Sequence, residues 1–206
     1  MNPLRNQITS IFVVLLLSFG GCSTVLGQSG EPINDGPYIV WRDSAKATVF
    51  YICQGELVSQ EYSVADTLHF TSLCGTDTST FVVAKTAPTA EPDRFDHVIR
   101  ILAVSDIHGQ LEAFVDFLQK AGVIDSGRHW AYSDGHLVVD GDIVDRGDGV
   151  TESLWLVYRL EQEARRAGGR VHFTLGNHEM MVLRGDNRYI NEKYVEGTAK
   201  KSRILH

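Results

Sequence analysis

The chain has 206 residues, 43% of them hydrophobic and 22% charged, which is ordinary for a globular protein and unlike a disordered one. Its formal net charge is −7 and no basic patch is evident, which argues against nucleic acid as a partner. Three cysteines are too few for a disulfide scaffold.

Residues 1–27 read as an export signal. Arg5 supplies a positive start, Ile11 to Leu17 is an unbroken apolar run, and Ser18, Phe19, Gly20 and Gly21 precede Cys22. The run is too short to span a bilayer, which needs about 20 apolar residues. Small residues before a cysteine resemble the bacterial lipobox, in which that cysteine is lipidated and becomes the mature N-terminus. Phe19 departs from the aliphatic residue usual at its position. Ordinary cleavage after Gly27, discarding Cys22, is the other reading. Both place the protein in the periplasm or cell envelope, the first with a lipid anchor on the membrane.

Residues 28–36 are rich in Gly, Ser, Pro and Asp and read as a linker. Residues 28–90 as a whole read as a small antiparallel all-β module. Its strand-like runs are Tyr38 to Trp41, Ala47 to Ile52, Leu57 to Tyr62, Thr67 to Thr71 and Thr80 to Val83, broken by Gly, Asp and Ser at short spacing. Cys53 and Cys74 both lie in it; in an exported chain a disulfide between them and two independent buried thiols are both open. A second linker, Ala87 to Asp96, holds Pro88 and Pro92.

From residue 97 to 206 the texture is α/β. Three apolar runs read as buried strands: Val98 to Val104, His136 to Val139 and Val171 to Leu175. Leu111, Phe114, Val115, Leu118 and Ala121 recur at helical spacing, as do Leu154, Trp155, Val157, Tyr158 and Leu160 ahead of Gly168 and Gly169. Each strand ends in a polar loop: Ser105 to Gly109, Asp140 to Gly147, and Leu175 to Glu179. Asp106, Asp142 and Asn177 are 36 and 35 residues apart, the length of one strand, loop and crossover helix each time. Three parallel strands therefore bring the loops side by side at the sheet edge where ligands bind.

Oxygen ligands and imidazoles at one edge suit one or two divalent metals. Asp106 and His108, two apart on what reads as an extended segment with Ile107 pointing away, are placed to face one metal. Asp142 is placed to bridge it to a second, and Asn177 offers that second metal an amide oxygen. Arg146 provides a planar fork for phosphate. His178 is the candidate proton donor to a leaving alkoxide, oriented by Asp145. His129, His136 and His172 lack such context and read as structural.

These loops, Asp106-Ile107-His108-Gly109, Gly141-Asp142-Ile143-Val144-Asp145-Arg146-Gly147 and Gly176-Asn177-His178-Glu179, resemble the three signatures of the phosphoprotein phosphatase group of calcineurin-like metallophosphoesterases. The continuation Met180 to Ile190 is similar to the Shewanella-like phosphatase branch. The resemblance covers about residues 98–195. It implies an αββα sandwich, two divalent ions such as manganese, iron or zinc, and hydrolysis of a phosphorylated substrate, either a phosphoprotein or a small phosphoester. By resemblance Asp106 and His108 hold the first metal, Asp142 bridges, Asn177 holds the second, Asp145 and His178 form the acid pair, and Arg146 binds phosphate. The family pattern continues with two further histidines on the second metal, whereas residues 180–206 contain only His206. The chain is thus expected to be the N-terminal part of the sandwich, truncated and inactive by itself. A dinucleoside tetraphosphatase with the same loops, and a non-catalytic envelope binding module, are the alternative readings.

Overall fold

The computed structural model describes residues 32–72, 74, 80–85 and 92–201. The export segment, Cys22 and His206 lie outside them. The first part is antiparallel. β1 (Asp35–Trp41), β2 (Lys46–Cys53) and β3 (Glu56–Ser63) form a sheet in that order, and β4 (Thr67–Thr71) pairs with β5 (Thr80–Ala84). β2 and β3 are joined by Gln54 and Gly55, with φ of 50° and 78°. That is the two-residue hairpin turn whose twist matches the flanking strands. Alternate residues of β2, Ala47, Val49 and Tyr51, are buried against Val64, Leu68 and Phe70, as period-2 alternation requires. Cys53 and Cys74 form a disulfide with their Cα atoms 5.3 Å apart, so pairing, and not two free thiols, is the outcome.

The second part carries β6 (Ile101–Val104), α1 (Leu111–Lys120), β7 (His136–Asp140), α2 (Val150–Ala167), β8 (Arg170–Thr174), α3 (Asn177–Leu183) and α4 (Glu192–Lys201). The three strands form a parallel sheet with β7 in the centre. α1 buries Phe114, Val115 and Leu118, and α2 buries Leu156, Val157, Leu160 and Ala164, all in one core with Leu137, Val139 and Val171. Such helical stripes contribute through the apolar area they remove from water, about 25 cal/mol per Å². Gly168 ends α2 at φ 85°, the left-handed cap that glycine adopts without strain. The other face of the sheet has no helix on it among the described residues. There His136 and His172 lie side by side with ring nitrogens 2.9 Å apart, under Phe95. Burial, then the neighbouring His172 and Arg170, hold the His136 imidazole below its ordinary pKa. Phe95 falls within the expected linker; its ring instead packs on the sheet because it covers this otherwise open face.

The two parts touch through α2. The Trp155 ring meets Phe81 edge-on with centroids 5.0 Å apart, and its indole N–H donates to the Pro37 carbonyl at 3.0 Å. Tyr38 and Thr151 hydroxyls are 3.3 Å apart. The large aromatic ring brings apolar area and its one polar atom finds a partner, so the pairing satisfies both requirements of a half-buried tryptophan.

Candidate metal and phosphate site

The strands end level: Val104 pairs with Val139, and Asp140 with Thr174. The loops that follow are then stitched to one another by backbone. His108 N–H donates to Asp142 O and Gly109 N–H to Ile143 O, both at 2.8 Å. Gly147 N–H returns a bond to His108 O at 2.9 Å. Gly141 and Gly176 lie back to back; a Cβ on Gly141 would strike the Gly176 backbone, and one on Gly176 would strike the Asp142 carboxylate. The second and third loops approach this closely because both positions lack a side chain.

The extended reading of the first loop is corrected. Asp106 has φ 56° and His108 φ 47°, and in the second loop Asp142, Asp145 and Arg146 have φ of 53°, 71° and 67°. Five candidate site residues are in left-handed backbone that side chains other than glycine adopt reluctantly, a strain that concentrates where surrounding bonds over-determine the chain. The loop-to-loop bonds supply that constraint. Ile107 does point away, into the core, and Asp106 and His108 still converge: an Asp106 carboxylate oxygen is 3.7 Å from His108 Nε2.

His108 is buried. Its Nδ1 lies 3.0 Å from Val144 O, and a carbonyl can only accept, so Nδ1 carries the proton and Nε2 exposes a lone pair. Nε2 is buried with no hydrogen-bond partner. One donor atom each of His108, Asp142 and His178 lies within 4.8 Å of the others. A fixed tautomer, an orphaned imidazole nitrogen and adjacent carboxylates together fit a divalent ion. Asn177 is exposed at the first position of α3, directly after the Gly176 that abuts Asp142.

His178 is buried and its Nδ1 is 2.7 Å from Asp145 Oδ2. The Asp145 side chain is fully buried, and its other oxygen has no partner. Arg146 is exposed, with a guanidinium nitrogen 3.4 Å from His178 Nε2. A guanidinium only donates, so Nε2 faces it unprotonated while Nδ1–H donates to Asp145. All the sequence-derived candidates thus lie on one edge of the sheet.

Three residues with no role assigned from the sequence hold this edge. The buried Glu179 carboxylate accepts four backbone N–H groups: Asp142, Ile143 and Gly176 at 2.8 Å and Val144 at 3.1 Å. Burial alone would raise its pKa; the four donors outweigh that and hold it below the ordinary carboxylate range. A Glu three residues after a helix N-cap was a legible capping signal. Tyr189 O accepts from Arg146 N, and Asn191 Nδ2 donates to Arg146 O, both at 2.8 Å. Nothing local in the sequence marks those two.

Residues 99–204, just over half of the chain, match the family model described as calcineurin-like phosphoesterase. The chain is similar to Shewanella-like protein phosphatase 2 of Arabidopsis thaliana, 39% identical over 103 residues, which is 50% of this chain and 26% of that protein. It is also similar to Shewanella-like protein phosphatase 1 of Plasmodium berghei, 33% identical over 97 residues, 47% of this chain and 27% of that protein. Among solved structures, a cold-active protein tyrosine phosphatase of a psychrophilic Shewanella superposes with a TM-score of 0.72 at 38% identity, covering 82% of this chain and 50% of that one. A second structure described as a cold-active protein tyrosine phosphatase gives 0.75 at 36%, over 83% and 50%. The chain spans about a quarter of the curated relatives it matches and half of the solved structures.

Proposed function

The chain belongs to the calcineurin-like phosphoesterase family, and from that premise we propose that the protein is a metal-dependent protein phosphatase hydrolysing phosphomonoesters. The observation that carries this is the convergence of the Asp145–His178 pair and Arg146 on the edge where His108 Nε2 is buried without a partner. The names of the similar structures favour phosphotyrosine among the possible phosphoproteins.

In this reading Asp106, His108 and Asp142 would hold one ion, and Asp142 and Asn177 would contribute to a second. Manganese, iron or zinc, when bound, polarises phosphoryl oxygens and lowers the pKa of bound water. Arg146 orients the phosphate, its backbone fixed at both N–H and carbonyl so that the fork is presented without searching. His178, with Nε2 unprotonated beside Arg146 at rest, takes up a proton there from solvent and delivers it to the leaving oxygen. Asp145 holds the ring by its Nδ1–H and stabilises the imidazolium from its buried position.

Arg146→Lys tests the site. Lys keeps the charge and loses the fork, so in a version of the protein that carries the complete site turnover of an aryl phosphate or phosphotyrosine peptide falls on the order of 10²-fold while metal content, measured by elemental analysis, is nearly unchanged. Loss of metal together with activity would make Arg146 a structural residue.

We also propose that the protein works outside the cytoplasm. The Cys53–Cys74 disulfide supports an oxidising compartment, as the apolar start of the chain does. Mass spectrometry of protein purified from membranes is expected to find Cys22 acylated and at the N-terminus; an unprocessed Met1 or a terminus at Gln28 rejects lipidation.

A further inference from the structure

A cleft of about 800 Å³ lies between the β-module and α2. Its floor is a second stripe of α2, distinct from the stripe that enters the core. Glu152, Trp155, Arg159, Gln162 and Arg166 line it, at alternating spacings of three and four residues that put them on one helical face. At 1.5 Å per residue this stripe runs roughly 20 Å, the length of about six residues of extended chain.

The opposite wall includes Thr80, Phe81 and Val82 of β5. Among the described residues β5 pairs only with β4, so its outer edge presents backbone donors and acceptors able to take another strand. Thr80 and Val82 are exposed, and Phe81 packs with Trp155 to give an apolar wall.

The charge of the cleft is mostly arginine. Arg128, Arg159 and Arg166 line it. One Arg159 terminal nitrogen donates to Arg128 O at 2.9 Å, while its Nε is buried with no acceptor. The acids are partly engaged, one buried Glu152 oxygen having no hydrogen-bond partner. Glu163 is 2.8 Å from His129 Nδ1 and accepts Trp130 N–H at 2.7 Å. Glu152 meets Lys193 at 3.0 Å. Arg128 also contacts Glu112 at 3.1 Å, at the exposed rim. Among the described residues, what remains is the Arg159 Nε without an acceptor and the exposed Arg166 guanidinium beside an open strand edge.

One end of the cleft lies against the catalytic edge. Leu111, which lines it, opens α1 just after the His108 loop, and Gly149 N–H, three residues before Glu152, donates to Gly109 O at 3.0 Å. A chain lying along α2 is led toward Arg146.

We propose that this cleft is a docking groove for an extended acidic segment of a protein substrate, added as a strand beside β5 with its carboxylates on Arg159 and Arg166. Its use in substrate capture rests on the phosphatase reading; the binding itself does not.

The test is fluorescence anisotropy of the intact protein with a fluorescein-labelled Glu-Val-Glu-Val-Glu-Val peptide. Saturable binding is expected, weakened by rising ionic strength and at least about tenfold by Arg159→Gln or Arg166→Glu, the loss of one charge-assisted bond. The matching Lys-Val peptide does not bind. Arg166 is exposed, so its variant stays folded even if Arg159→Gln does not. Aryl phosphate turnover is unchanged in Arg166→Glu, whereas KM rises for a phosphopeptide carrying the acidic segment. Equal binding of both peptides, indifference to Arg166→Glu, or displacement of the peptide by inorganic phosphate alone overturns the groove. Peptide binding without any aryl phosphate turnover, in a protein that carries the complete metal site, upholds it and sinks the phosphatase reading instead.

Discussion

In a protein that carries the complete site, Asp142→Asn is expected to remove firmly bound metal and turnover while leaving the fold intact. The substitution separates charge from shape. Asp142 is buried, its Oδ1 accepts His178 N–H at 2.9 Å, and its own N–H donates to Glu179. An asparagine keeps both bonds, since it retains one oxygen and the same backbone. What it loses is the negative charge beside His108 Nε2 and the second carboxylate oxygen. Outer-shell partners alone are worth about 10–100-fold in metal affinity, so a bridging ligand is expected to exceed that. Elemental analysis after dialysis and an aryl phosphate assay with added manganese measure both effects. A variant that holds its metal as tightly as the parent would show that Asp142 serves only to position His178.

The largest stability effect is expected at Glu179, which touches no substrate. Glu179→Ala leaves Asp142, Ile143, Val144 and Gly176 N–H groups without their acceptor in a tightly apposed site. At about 1–3 kcal/mol for each buried donor left unpaired, a loss of about 4 kcal/mol follows even if half of them regain water. For a chain of this size that corresponds to roughly 10 °C in melting temperature. Glu179→Gln should fall between the two, because its amide nitrogen faces donors where an oxygen accepted. Urea unfolding of the three proteins decides it. A loss under about 1 kcal/mol for the alanine variant would mean that the loop backbones stitch the site without this carboxylate.

The sequence by itself determined the elements and the edge they share. The β-branched and aromatic run Ala47 to Ile52 and the helical recurrence in Leu111 to Ala121 are local patterns, legible without knowing what they pack against. The near-equal spacing of Asp106, Asp142 and Asn177 was enough to gather three loops, because parallel strands impose it. The Cys53–Cys74 bond was open from composition and needed the sheets to bring the Cα atoms to 5.3 Å.

Only the tertiary structure decided what makes those loops a site. Left-handed φ at Asp106, His108, Asp142, Asp145 and Arg146 runs against the preferences of those residues, so no local reading of them reveals it; bonds from other loops hold the backbone there. The proton on His108 is set by Val144 O, and the fork of Arg146 by Tyr189 and Asn191, partners 36 to 45 residues away in sequence. The cleft along α2 exists because Trp155 turns toward Pro37 and Phe81. Periodicity gives a helix its faces, but which face meets which partner depends on contacts that the chain makes only once it has folded.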